Sequence, residues 1–256
     1  MAAPSCFEQL TGHYSRAVRN ESTTGDAREF MVRPGTLDAT IVDWVHGGNE
    51  YRLPQQFAPR TVIIDVGAHI GAFTLAAIDR GAQYVIAVEA MAENRVLAVM
   101  NMRDELASGQ VEVIHAAVAD PRRTAVTMGP AETLDGQLNT GSHRIVDAVP
   151  TDAGAVPVVT LDALISRAGR LLAGSEPSHL WVKLDCEGSE WEILGTSAFL
   201  SEVEVIIGEF HERPGELFGL QRPCNAAGLA DHLVAAGFET RLSGAGTEMG
   251  LFWAWR

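Results

Sequence analysis

Asp65-Val66-Gly67-Ala68-His69-Ile70-Gly71 sets a carboxylate two residues ahead of one glycine and a second glycine four residues later. A β-rich run, Thr61 to Ile64, leads into it and a helical pattern, Ala72 to Ala77, leaves it, so strand, turn and helix follow in order. Such a turn is suited to a nucleotide. Gly67 permits a tight bend and close approach of a ligand, Gly71 lets the helix pack on the strand, and the loop's N–H groups are expected to face the ligand. The spacing is G-x-x-x-G, and the dinucleotide fingerprint G-x-G-x-x-G is absent, which favours S-adenosylmethionine over NAD. Tyr84 to Glu89 is a second apolar run ending in an acid, placed where a carboxylate would accept both ribose hydroxyls.

A second set of reactive side chains stands later in the chain. Asp185 and Glu187 follow the strand-like run His179 to Leu184, while Glu209 and His211 close the run from Val203. Open α/β sheets bind ligands at such carboxyl ends, and the two edges are expected to lie side by side. Methyl transfer from a sulfonium needs a nucleophile held about 3 Å from the methyl carbon. A hydroxyl nucleophile must also lose its proton, which makes His211, Asp185 and Glu187 the candidate bases. His211 is the first choice, neutral near pH 7 and oriented by Glu209, which shares its face of the strand. Asp185, Glu187 and Glu209 could instead ligate a divalent cation such as Mg²⁺, a reading not favoured because no further aspartate cluster appears. No metal site is therefore expected.

The elements that position these groups read as one α/β alternation. Helices are expected from Ile70 to Asp79 and from Glu93 to Ala107, the latter ended by Gly109. A third strand, Val111 to Val118, carries Ala116 and Ala117 on the adenine side of the crevice, and His115 within it reads as structural. Residues 120–158 break the alternation as a β-rich insertion, with short pieces at Thr124 to Met128 and Val156 to Val159. Asn139, Thr140 and His143 in its polar loop are candidate substrate contacts. A helix opens at Leu161, a short one spans Trp191 to Leu194, and another lies near Ala226 to Ala236. Strands Phe238 to Leu242 and Leu251 to Trp255 close the chain as an antiparallel hairpin. Ahead of the first glycine, Phe7 to Arg19 reads as a short helix, and Ala39 to Val45 with Tyr51 to Leu53 reads as a hairpin. This gives an N-terminal extension, 1–58, set beside the ligand-binding end or over an edge of the core, and a catalytic domain, 59–256.

Composition narrows the partners. The chain has 256 residues, 46% hydrophobic and 20% charged, enough for one large α/β domain. Its net charge of −14, from 19 basic and 33 acidic residues, would repel phosphate backbones and acidic lipid surfaces. A small-molecule acceptor is expected, with neither nucleic acid nor membrane, and a homodimer is left open. No run approaches the roughly 20 apolar residues of a membrane span and no signal peptide is evident, so a cytoplasmic location is expected. Cys6, Cys186 and Cys224 have neither disulfide-framework nor zinc spacing.

Taken together, Asp65 to Gly71, Glu89 with Asn101 downstream, Thr160-Leu161-Asp162, Lys183 to Glu190 and Gly208 to His211 resemble the FkbM-type methyltransferases over residues 36–255. The resemblance implies a Rossmann-like class I S-adenosylmethionine-dependent methyltransferase. Its seven-stranded, mostly parallel sheet would have order 3-2-1-4-5-7-6, strand 7 antiparallel and helices on both faces. The donor set expected from it and from the residues above is Asp65, Gly67, Ala68, His69, Gly71, Glu89, Ala90, Ala117 and Asp185. Family members often methylate hydroxyls of polyketides, sugars or other secondary metabolites, so O-methylation is implied. An N-methyltransferase or a non-catalytic S-adenosylmethionine-binding protein is the alternative. This chain departs from the family where His69 replaces an Asn, where Met91 and Ala92 stand for a Pro, and where Cys186 replaces Val or Ile.

Overall fold

The computed structural model describes residues 15–21, 27–146, 154–174, 178–215 and 222–256. Its centre is a seven-stranded sheet with helices on both faces, a Rossmann-like α/β fold. The strands, in chain order, are β3 (Thr61–Val66), β4 (Tyr84–Glu89), β5 (Val111–His115), β12 (His179–Leu184), β13 (Val205–His211), β14 (Glu239–Ser243) and β15 (Met249–Trp255). They lie side by side in the order β5-β4-β3-β12-β13-β15-β14, with β15 antiparallel to both of its neighbours.

Burial on both faces explains the composition of the central strands. Val62, Ile64 and Val66 of β3 point into one core with Val182, Leu184 and Ile206, covered by α5 (Leu161–Leu172), α6 (Glu190–Thr196) and α7 (Ala226–Ala235). Ile63 points into the other with Ala87 and Ile207, covered by α2 (Ala72–Asp79) and α3 (Ala92–Asn101). A strand with two apolar faces reads as a continuous Val/Ile run, which is why these segments were legible. Thr160 caps α5, its hydroxyl accepting the N–H of Ala163 at 3.1 Å.

Several expectations are corrected. The run Glu93 to Ala107 is two helices, α3 and α4 (Arg103–Ser108), divided at Met102. The third strand breaks at Ala116, and its continuation β6 (Ala117–Val118) leaves for a second sheet. There it joins β7 (Ala125–Met128), β10 (Ile145–Val146) and β11 (Ala155–Val159) in the order β10-β7-β11-β6, while β8 (Glu132–Leu134) and β9 (Gln137–Asn139) form a hairpin.

The N-terminal readings fare worst. Ser15–Glu21 is a strand, β1, paired antiparallel with β2 (Ala27–Val32), where the tail of a helix was expected; Phe7 to Tyr14 lies outside the described residues. Ala39 to Val45 is no hairpin strand: Asp38–Val42 is a helical turn, α1, continued by a π-helical turn over Asp43–Gly47. Its buried side chains, Asp38, Val42, Val45 and His46, recur at helical spacing, and that packing overrides the β-branched run Thr40-Ile41-Val42.

Candidate active site

The glycine turn is held from beneath by a buried ion pair. Asp65 and Lys183 are cross-strand partners on β3 and β12, with Lys183 Nζ 3.2 Å from Asp65 Oδ1. Thr74 of α2 donates its hydroxyl to Asp65 Oδ2 at 2.6 Å, and Lys183 donates to the carbonyl of Gly67 at 2.8 Å. Asp65 is wholly buried and does not line the cavity beyond the turn. Its partners brace the loop from within the fold. Burial pushes the Lys183 ammonium down, but the Asp65 and Asp185 charges outweigh it and raise its pKa above the ordinary lysine value.

Gly67 has φ +76°, and a Cβ there would come within 1.8 Å of the Asp185 carbonyl oxygen, so the turn crosses the end of β12 at a distance only glycine allows. Gly71 has φ +93° at the start of α2; a Cβ there would press on the Met102 side chain between α3 and α4, so what it spares is that junction and not β3. Three of the loop N–H groups are taken up within the protein. Gly67 and Ala68 donate theirs to the Val88 carbonyl at 3.0 and 3.1 Å, and His69 donates its own to Glu89 Oε2 at 2.8 Å.

A cavity of about 380 Å³ opens above the carboxyl ends of β3, β4, β12 and β13. Of the expected donor residues, Gly67, His69, Glu89, Ala90, Ala117 and Asp185 line it, whereas Asp65, Ala68 and Gly71 do not. Glu89 is set by three donors: His69 N–H on Oε2, and Met91 N–H at 2.7 Å with the Asn94 amide at 3.4 Å on Oε1. Burial raises its pKa above the usual carboxylate value despite these hydrogen bonds. Oε2, with a single donor, keeps a further acceptor site. Ala116, Ala117 and Val118 form a small-residue wall beside it, produced by the kink between β5 and β6.

Asp185, Glu187 and Glu209 line the opposite end. Burial and the Asp185 charge push Glu187 up to about 7 and Glu209 up to about 9. Burial pushes Asp185 upward too, but the Lys183 ammonium and the Tyr51 hydroxyl hold it below the usual carboxylate range. Glu187 has φ +54°, a left-handed backbone rare for a non-glycine residue and a form of strain that gathers at functional sites.

His211 requires the largest revision. Its partner is not Glu209 but Glu190 of α6, which accepts the His211 backbone N–H at 2.7 Å and lies 3.1 Å from Nδ1. Nε2 lies 3.3 Å from Glu187 Oε2, and the ring does not line the cavity. Burial would lower the imidazole, but Glu190 and Glu187 raise it to about 9, so it is protonated at pH 7 and not the neutral base expected. Glu190 also accepts the Gly188 N–H at 2.8 Å, tying the loop after β12 to the end of β13.

The insertion supplies Asn139 and His143 to the lining, but Thr140 is buried in a polar cluster. Its hydroxyl donates to Asp38 Oδ1 at 2.5 Å and stands 2.8 Å from His69 Nε2. The sequence reading offered the N-terminal extension a place beside the ligand-binding end but named no residue of it as a site residue: Ile41, Trp44, Glu50 and Tyr51 line the cavity, and Tyr51 donates its hydroxyl to Asp185 Oδ2 at 2.8 Å. The aromatic and apolar residues between 37 and 51 were the available signal. Among the described residues, no group of three His, Cys, Asp or Glu side chains is arranged to hold a metal ion, and no helix is long and apolar enough to cross a membrane.

The methyltransferase FkbM domain matches residues 65–238, and the chain belongs to that family. Methyl transfer is the activity this membership supports, and S-adenosylmethionine is the donor it implies. No curated protein matches the chain. Among solved structures, it is similar to a methyltransferase FkbM from Methylobacillus flagellatus KT (12% identity, TM-score 0.47, 78% of this chain and 44% of that one). It is also similar to the putative methyltransferase yhhF from Escherichia coli (14%, 0.48, 93% and 97%) and to an O-methyltransferase family protein from Burkholderia thailandensis (14%, 0.43, 86% and 56%). The chain thus spans less than half the length of the first. The family assignment rests on the matched domain, not on these likenesses.

Proposed function

We propose that the protein transfers a methyl group from S-adenosylmethionine to a hydroxyl of a small molecule, a secondary metabolite such as a polyketide or sugar. The observation that carries this is one cavity with Glu89 and the Ala116–Ala117 wall at one end and Asp185, Glu187 and Glu209 at the other. The residues present fit the donor. Glu89 offers an acceptor on Oε2 to a ribose hydroxyl, the alanines leave room for a flat ring, and an acidic end with no Lys or Arg among the described lining residues suits a sulfonium. S-adenosylmethionine supplies the electrophilic methyl group.

The chain's own part is positioning and proton transfer. Asp185, kept ionised, faces the donor's cationic end; Glu187, poised near 7, takes the proton from the acceptor hydroxyl; protonated His211 behind it stabilises the carboxylate form. Glu209, pushed up to about 9, enters as a neutral carboxylic acid and can donate a hydrogen bond to the acceptor. A nitrogen acceptor is the second reading, favoured by the carboxyl groups of Glu50, Asp185, Glu187 and Glu209 around one space. Mass spectrometry of methyl transfer to a panel of neutral alcohols, phenols and amines tests the choice. Methylated alcohols or phenols support the first reading, and methylation confined to amines replaces it with the second.

A further inference from the structure

Tyr51 comes from a segment with no part in the family's matched region, yet it touches the carboxylate placed at the donor's cationic end. We infer that Tyr51 is a positioning residue whose hydroxyl fixes Asp185 for donor binding, so that the segment 48–53 is part of the donor site. The inference rests on the donor role of Asp185 proposed above.

The local structure is built to hold that hydroxyl. Tyr51 is 4% exposed, and its ring meets Phe73 edge-on with centroids 5.4 Å apart. Its carbonyl accepts the indole N–H of Trp253 at 2.8 Å, which ties the segment to β15. Asn49 closes the loop on itself, its amide donating to the Leu53 carbonyl at 2.9 Å and its oxygen accepting the Leu53 N–H at 2.8 Å. Asn49 and Arg52 on either side adopt φ +53° and +55°, a conformation that non-glycine residues hold only when their surroundings impose it. Arg52 is kept there by stacking over the Trp253 ring at 4.6 Å. The result is a rigid clip with one polar atom at its tip. Burial and the Asp185 charge raise the phenol well above its ordinary pKa, so that atom remains a donor throughout the working range.

Asp185 Oδ2 has two neighbours that favour the ionised form, the Tyr51 hydroxyl at 2.8 Å and the Lys183 ammonium at 3.6 Å. Lys183 is committed beneath the glycine turn to Asp65 and to the Gly67 carbonyl, so it supplies charge but little direction. Direction comes from the phenol. A carboxylate with one oxygen fixed has its second oxygen's position fixed as well, and preorganisation of this kind strengthens binding without any new contact to the ligand.

The test is calorimetric titration with S-adenosylmethionine, from pH 5 to 9, of wild type, Tyr51→Phe, Asp185→Ala and the double variant. Tyr51→Phe keeps the ring and the carbonyl contact to Trp253, so its melting temperature should stay within a few degrees of wild type. At neutral pH its affinity should fall about five- to tenfold, the cost of ordering one freed side chain on binding. The titration of the Asp185 carboxyl itself, followed below pH 5 by NMR of its carboxyl carbon, should also move to higher pH, because a carboxylate held below the usual range has lost a stabilising donor. Lys183, His69, Glu50, Cys186, Glu187, Glu209 and His211 all act on this carboxylate, so the shift is read as the variant minus wild type. In the Asp185→Ala background, Tyr51→Phe should cost less than about twofold. Equal affinity and Asp185 titration in Tyr51→Phe and wild type, or an undiminished loss in the Asp185→Ala background, overturns the inference while leaving the donor site intact. A wild-type protein that binds no S-adenosylmethionine overturns the functional proposal and this inference together.

Discussion

The imidazole Nε2 of His211 lies 3.3 Å from Glu187 Oε2, at the point where the loop after β12 meets the end of β13. Only Glu187 of the two lines the cavity, and it is the group poised near neutrality. Glu187→Gln should therefore lower kcat by about 10²–10⁴ with donor affinity nearly unchanged. The wild-type kcat/KM should fall as pH drops through about 7, and this limb should vanish in Glu187→Gln. His211→Ala removes the positive charge that holds Glu187 down, so its limb should persist but move above 7. If His211→Ala abolishes the limb and Glu187→Gln retains it, the imidazole is the proton acceptor.

Glu209 gives a stability test independent of activity. Its folded-state pKa of about 9 lies above the ordinary carboxyl value because burial and Asp185 oppose its ionisation. Below the unfolded-state value it costs nothing. Above that value, the unfolded chain ionises while the folded one does not, and stability is lost as pH rises toward about 9. Glu209→Gln should raise the melting temperature at pH 8 by at least about 2–4 °C, the shift expected from each kcal/mol in a domain of this size. At pH 4 the two proteins should melt together. Scanning calorimetry that finds equal melting temperatures at pH 8 would count against a neutral Glu209 in the folded protein.

Gly67→Ala combines a left-handed φ with a Cβ that would sit 1.8 Å from the Asp185 carbonyl oxygen, which is backbone and cannot rotate away. It should destabilise the fold by at least about 1–3 kcal/mol in urea unfolding and separate β3 from β12 where the donor site lies. A Gly67→Ala protein of wild-type stability and affinity would show that the turn is looser than described.

The parts legible in the sequence are those where one physical signal dominates. Thr61–Val66, Tyr84–Glu89 and His179–Leu184 are apolar on both faces, so their existence, and the acids at or just past their ends, could be read from the run itself. What stayed hidden depends on distance. Glu190 pairs with His211 across 21 residues and Tyr51 with Asp185 across 134, and no periodicity encodes either. Ala39 to Val45 was misread because β-branched residues carry a strand signal that tertiary burial of Val42, Val45 and His46 overrides. The loop N–H groups were misassigned because the Val88 carbonyl that takes two of them is known only once β4 lies beside β3.

The central claim is that the cavity above β3, β4 and β12 binds S-adenosylmethionine with Glu89 on its ribose. Glu89 also accepts the His69 and Met91 N–H groups, so Glu89→Gln is measured beside Glu89→Ala, with circular dichroism to establish that both are folded. Isothermal titration of wild type with S-adenosylmethionine should give saturable one-to-one binding. Each variant should bind well over tenfold more weakly, since a hydrogen bond to a charged group is worth about 1.5–3 kcal/mol. Wild type that binds no S-adenosylmethionine, or folded Glu89→Ala and Glu89→Gln proteins that bind it as tightly as wild type, would contradict the account.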